Sequence, residues 1–328
     1  VTDPDQARLP DENSGAGGET RFQAESVRSS SPENYGIHPA LTALLFLIGV
    51  FISYQLIGSV LTLLFVGMKI DESTVQEMRA ATMIGQAVFL LGPALLAPRL
   101  FGWKTAATLK LRSVGWEQIG LAVVMVIALQ FVLQGYMQLQ EYALNEYLLP
   151  DSLKSILQKI EELIQGMYAE LLVMRSPMEL LYVWLVVALT PAGCEEAVFR
   201  GVTQSAFERG LRPRWALLLT SAAFALFHMY PTQLVPLAAI GLLLGALVWR
   251  SGSIWTGIAG HLANNTFAVL VLYFGGAGEA GVKDVTAGPS TGIGAVMSAA
   301  GILLLAAGLY RFRRITSARV SAEENSTQ

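Results

Sequence analysis

The chain has 328 residues, with 22 Lys and Arg against 25 Asp and Glu, 53% hydrophobic and 14% charged residues, and a mean hydropathy of +0.49. A soluble domain carries about a quarter charged residues, so this composition excludes a water-soluble globule and predicts an all-α polytopic transmembrane helix bundle. A net charge of -3 excludes the broad basic surface that nucleic acid requires, and the single cysteine, Cys194, excludes an internal disulfide or a cysteine-based metal cluster.

In chain order, residues 1–36 lack the apolar core of a secretory signal and are rich in Ser, Pro, Glu and Gly. Such a composition cannot offset ordering entropy, and a disordered cytoplasmic tail is expected there. Eight apolar runs then follow, near 39–66, 80–98, 119–138, 180–207, 215–229, 234–249, 254–274 and 292–312. Runs of roughly 20 such residues read as spanning helices, because lipid leaves backbone groups no partner outside the helix. Pro191 and Gly193 interrupt the fourth run, which reads as one span or as a shorter helix followed by a separate one. The fifth and sixth are short.

Between the third and fourth runs, Leu153, Ile156, Leu157, Ile160, Leu163, Ile164 and Met167 recur at helical spacing, with Lys154, Lys159, Glu161 and Glu162 mostly on other faces. This predicts an amphipathic helix over 153–167 that lies on the outer interface, packs on the bundle or serves as a substrate lid. No internal repeat of the kind common in transporters is visible.

Short cytoplasmic loops accumulate Lys and Arg. With both termini inside, Arg8, Arg21, Arg28, Arg99, Lys104, Lys110, Arg112, Arg200, Arg209, Arg212, Arg214, Arg250, Arg311, Arg313, Arg314 and Arg319 are cytoplasmic, sixteen of the 22 basic residues. Lys69, Arg79, Lys154, Lys159, Arg175 and Lys283 fall outside. The expectation is therefore a multi-pass protein of the bacterial cytoplasmic membrane, with 315–328 as a short cytoplasmic tail.

Ionisable groups at membrane depth are costly and are functional candidates by default. They are Glu195, Glu196 and Arg200 in PAGCEEAVFRG, His228 in FALFHMY, and His261, accompanied by Asn265, in GHLANNTF. Glu196 and Arg200 are four apart and can pair, as are His261 and Asn265, which can face one cavity. Counting from Arg209, Arg214 and Arg250, it is 14 residues to Glu195, 14 to His228 and 11 to His261. At ~1.5 Å rise, all three lie about 15 to 20 Å deep.

A structural ion pair accounts for Glu196 and Arg200 as well as a catalytic one does, and His261 with Asn265 reads equally as interhelical glue. Glu195 has no cation left to pair with, which makes it a general-base candidate. Asn264 points elsewhere around its helix and receives no role, and Cys194 reads as a packing residue. A carboxylate and a histidine can deprotonate water, while a second histidine and an amide can donate to the oxyanion formed at a carbonyl. No cofactor is expected. Glu195, His228 and His261 remain an alternative zinc-ligand set, weakened by the absence of an HExxH helix.

These residues resemble the CAAX prenyl protease and bacteriocin-processing (CPBP, or Abi) family of intramembrane endopeptidases. The three signatures stand in order: EExxxR as Glu195, Glu196 and Arg200; FxxxH as Phe224 and His228; HxxxN as His261 and Asn265. The resemblance implies a peptidase domain over 37–314 with its motif core at 180–274, and a cavity open to the cytoplasm. It implies that Glu195 and His228 activate water, that His261 and Asn265 stabilise the oxyanion, and that Glu196, Arg200 and Phe224 support the site. The partners it implies are the lipid bilayer and a membrane-associated or lipidated protein or peptide; eukaryotic relatives cut prenylated C-termini. A non-enzymatic immunity or scaffold protein using the same pocket is the alternative, and a proton-coupled transporter comes third.

Overall fold

The computed structural model describes residues 31–67, 74–275 and 291–326. Residues 1–30 of the expected tail, with Lys69 and Lys283, lie outside the described residues.

Among the described residues the secondary structure is helical, without strands. The principal elements are α1 (Pro39–Val66), α2 (Val75–Leu100), α3 (Trp116–Leu148), α4 (Asp151–Leu171), α5 (Pro177–Gly210), α6 (Pro213–Phe227), α7 (Leu234–Ser251), α8 (Ile254–Phe274) and α9 (Thr291–Ser326). Among the described residues seven helices are long and apolar enough to cross a membrane; the remaining apolar run of the eight expected, the fifth, is the 15-residue α6. At 1.5 Å per residue α6 is about 22 Å long, short of a hydrocarbon core of about 30 Å. Its end therefore lies inside the bundle's apolar thickness. Large apolar side chains such as Leu64, Phe65 and Leu303 face outward, the arrangement lipid favours and water opposes. The chain is an integral multi-pass membrane protein.

The fourth run is one continuous helix, α5, despite Pro191 and Gly193. A π-helical turn at Leu185–Leu189 precedes the proline and another at Ala197–Thr203 follows it. Such turns shift the hydrogen-bond ladder by one residue, so the chain passes the proline without breaking. α5 is the axle of the bundle, and every residue from Ala197 to Thr203 is buried. One core gathers α1, α2, α5 and α6 around Phe46, Leu90, Val198, Phe199 and Phe224. A second joins α3, α7 and α9 around Met125, Leu244 and Phe312. α9 approaches α3 through small residues: a Cβ at Gly301 would strike the Ala128 carbonyl oxygen, and one at Gly308 would strike Met125.

The expected amphipathic helix is α4, which packs on α2 and on the Pro231–Gln233 turn and leaves Leu153, Ile156 and Leu163 exposed. Its end explains a residue assigned to an outer loop. Arg79 lies within α2 at 1% exposure, donating from Nε to the Leu171 carbonyl at 3.1 Å and from Nη2 to that of Val173. The terminal carbonyls of a helix have no intrahelical partner, and Arg79 supplies one. Two tail boundaries also shift. Pro32–Tyr35 forms a 3-10 turn ended by Gly36 at φ 73°, and α9 continues past residue 314 to Ser326.

Candidate active site

Lipid provides no water to satisfy a helix end, so the early stop of α6 must be completed by protein groups. Its last four carbonyls are all accounted for. That of Phe224 meets His228 Nδ1 at 2.8 Å, that of Ala225 the His228 N–H at 3.3 Å, that of Leu226 the Met229 N–H at 3.1 Å, and that of Phe227 the Gln55 side chain of α1 at 2.9 Å. Met229 then takes the left-handed conformation at φ 52°, which turns the chain toward Pro231. A carbonyl can only accept, so His228 Nδ1 carries the proton and its Nε2 is left as a lone-pair acceptor. That nitrogen faces Glu195, with Nε2 to Oε2 at 3.8 Å.

On α5 the two glutamates diverge. Glu196 is fully buried, its Oε1 accepting from Arg200 Nη1 at 2.6 Å and from His261 Nδ1 at 3.0 Å. Arg200, also fully buried, donates through Nη2 to the Gly241 carbonyl at 3.0 Å and stacks its guanidinium 4.6 Å from the Phe224 ring centroid. Gly257 allows this closeness, since a Cβ there would strike Glu196 Oε2. Phe224 also packs edge-on against both histidine rings, at 4.7 Å to His228 and 5.9 Å to His261. Glu195 keeps 17% of its side chain exposed, with Oε2 3.8 Å from His228 Nε2 and 4.0 Å from His261 Nε2 and no hydrogen-bond partner.

Asn265 is turned toward α5. Its Nδ2 donates to the Val187 carbonyl at 2.9 Å, about two turns before Glu195. Val187 lies in the π-helical turn that precedes Pro191, so this bond ties α8 to α5 where its ladder changes register. Asn264, expected to point elsewhere, instead donates to Asn265 Oδ1 at 3.0 Å and accepts from Gln130 of α3. Trp184 Nε1 donates to Thr266 Oγ1 at 2.8 Å, adding a further tie between α5 and α8. Cys194 faces the α1–α2–α5 core, buried among apolar side chains.

The structure thus brings together Glu195, Glu196 and Arg200 of α5, Phe224 of α6 with His228 at its end, and His261 of α8, while Asn265 contacts Val187 and Asn264. Gln55 and Gln130, not singled out from the sequence, and Asn264, given no role there, complete the network; each is an amide inside an apolar run, a signal of the same kind as the buried charges. Among the described residues no group of three His, Cys, Asp or Glu side chains is arranged to hold a metal ion. The 3.8 and 4.0 Å separations in the alternative ligand set exceed the about 3.3 Å between ligands of tetrahedral zinc.

What the arrangement offers chemically is a carboxylate oxygen and two imidazole nitrogens converging on one point beside a rigid ion pair. No curated protein and no solved structure matches the chain. A family model does match, over residues 177–267: type II CAAX prenyl endopeptidase Rce1-like. That segment contains all three motifs, and over it the chain is similar to the CAAX protease family that the motifs resemble.

Proposed function

We propose that the chain is an intramembrane endopeptidase that hydrolyses a peptide bond in a membrane-associated or lipidated protein or peptide, using water activated by Glu195 and His228. The observation that carries this reading is the spacing of Glu195 Oε2 from two imidazole Nε2 atoms, 3.8 and 4.0 Å. These separations are too long for direct hydrogen bonds, yet a water about 2.8 Å from both Glu195 Oε2 and His228 Nε2 spans the shorter of them.

The Glu195 carboxylate takes one proton of that water as its oxygen attacks the substrate carbonyl, and His228 Nε2 accepts the other hydrogen and aligns the attack. Negative charge gathers on the carbonyl oxygen, where Asn265 donates its remaining N–H. His261, anchored through Nδ1 by Glu196 at 3.0 Å, faces the same oxygen through Nε2. As the tetrahedral adduct collapses, the C–N bond breaks and the proton on Glu195 passes to the leaving amine. Glu196, Arg200 and Phe224 touch no reacting atom in this scheme and hold the histidines in place. Residues 37–314 form the peptidase domain, with both termini cytoplasmic.

The test compares membrane proteomes of cells expressing the parent chain and Glu195→Gln. A peptide cut by the parent should accumulate intact with the variant, and cutting by the purified parent should survive a chelator. Identical peptide patterns would sink the reading. So would chelator inactivation reversed by zinc, which would make the carboxylate and imidazoles metal ligands.

A further inference from the structure

We propose that Asn264 and Gln130 are positioning residues that set the direction of the Asn265 amide and keep one of its N–H groups aimed at the substrate. The inference rests on the reading of Asn265 as an oxyanion donor.

Three spans meet in one relay of side-chain amides. Gln130 Nε2 on α3 donates to Asn264 Oδ1. Asn264 Nδ2 donates to Asn265 Oδ1 at 3.0 Å, and Asn265 Nδ2 donates to the Val187 carbonyl of α5 at 2.9 Å. The sense of the relay is fixed at its far end, because a backbone carbonyl only accepts. Rotating the Asn265 amide by half a turn would set two oxygens against each other at Val187 and two NH2 groups against each other at Asn264. Gln130 blocks the compensating rotation of Asn264.

A primary amide has one acceptor oxygen and two N–H groups in a plane. With the oxygen held by Asn264 and one N–H held by Val187, the direction of the other N–H is determined. Without Asn264 the Asn265 oxygen loses its anchor, and the amide can swing about its single remaining bond. A donor that must reorganise as charge develops gives up most of its transition-state advantage.

The test uses the full-length protein in detergent micelles and an internally quenched peptide spanning the cut identified with Glu195→Gln. Four variants are compared for kcat, KM and melting temperature: Asn265→Ala, Asn264→Ala, Asn264→Gln and Gln130→Glu. Gln130→Glu has the size of the parent side chain but no N–H for Asn264. Asn264→Ala and Gln130→Glu should lower kcat about ten- to hundred-fold, the scale of a misplaced group, with KM nearly unchanged and little change in melting temperature. Asn264→Gln keeps a donor and an acceptor and should recover part of kcat. A parallel fall in melting temperature, or a loss that Asn264→Gln does not relieve, would make the relay merely structural and overturn the proposal. If Asn265→Ala abolishes cutting while both Asn264→Ala and Gln130→Glu cut normally, the positioning role fails and the oxyanion reading survives. If Asn265→Ala itself cuts normally, the oxyanion reading fails and takes the inference with it. Should Asn264→Ala not fold, Gln130→Glu alone decides the matter.

Discussion

Glu195 and Glu196 are adjacent in the chain and one helical step of about 100° apart, and this rotation gives them opposite surroundings. Glu196 points into the bundle, with no exposed area and two charge-assisted partners at 2.6 and 3.0 Å. Glu195 directs a buried Oε2 toward two imidazoles and meets neither at hydrogen-bonding distance. Glu196 commits Oε1 to a guanidinium and an imidazole in a fully buried frame, whereas Oε2 of Glu195, enclosed and without a hydrogen bond, faces two imidazoles and can take a proton. Order and reactivity are thus divided between neighbours, and the rigid member holds the frame in which the reactive one works.

The comparison breaks most directly at Glu195. Glu195→Gln keeps size and hydrogen bonding while removing proton acceptance, so cutting should fall about 100- to 10,000-fold with no loss of folded protein. Glu196→Gln reverses the pattern. It leaves Arg200 charged inside the bundle without its anion, a defect of about 3 to 5 kcal/mol when a buried pair is broken from one side. Lower melting temperature and reduced accumulation should accompany whatever activity is lost, and His261 loses the acceptor that orients it. Cleavage rate and melting temperature measured side by side separate the two residues. Equal thermal loss in both variants would erase the distinction drawn here.

A smaller effect sharpens the same contrast on the His228 side. Gln55 caps the Phe227 carbonyl, the last one of α6. Gln55→Leu leaves that carbonyl with no donor and should cost about 1 to 3 kcal/mol of stability. Because His228 is the next residue, kcat should fall as well, by less than for Glu195→Gln. An unchanged melting temperature would mean that the carbonyl finds another partner.

Much of this could be read before the structure. The apolar runs became helices because length and hydropathy leave a segment in lipid few alternatives. The buried charges could be singled out because ionisable groups at that depth are rare. Their depth relative to the flanking arginines brought three distant segments to one level. The helical continuity of α5 was not legible, because Pro191 and Gly193 signal a break, and the π-helical turns that absorb the proline have no composition of their own. Gln55 and Gln130 were passed over because the search started from ionisable residues, and Asn264 was set aside because its position around the helix differs from that of Asn265. Gln55, Gln130 and Asn264 matter only through the carbonyl or amide each one meets, and those partners are fixed by tertiary packing. The role of Arg79 was hidden for a similar reason: it was counted only as a charge on the outer side, and the helix end it caps is set by tertiary packing. Gln204 and Glu208 continue the four-residue spacing of Glu196 and Arg200 and could have been read from sequence; Gln204 donates to Glu208 at 2.8 Å, and Lys110 closes on Glu208 at 2.8 Å.

The smallest expected effect is at Cys194, the residue just before Glu195. A thiol beside a reactive carboxylate invites a nucleophilic mechanism, but one helical step turns it the other way, into the apolar core with Ala197, Val198 and Phe199. A nucleophile must reach the substrate carbonyl, and a sulfur enclosed by aliphatic side chains on the far face of the helix has no such path. Cys194→Ala removes one buried sulfur and should cost about 1 kcal/mol or less in stability, while cutting continues at close to the parent rate. Thiol alkylation of the folded protein should likewise leave cutting intact. Loss of cutting in Cys194→Ala at unchanged melting temperature would transfer the nucleophile from the water beside Glu195 to the thiol, and the division of labour between the two glutamates would then need a different origin.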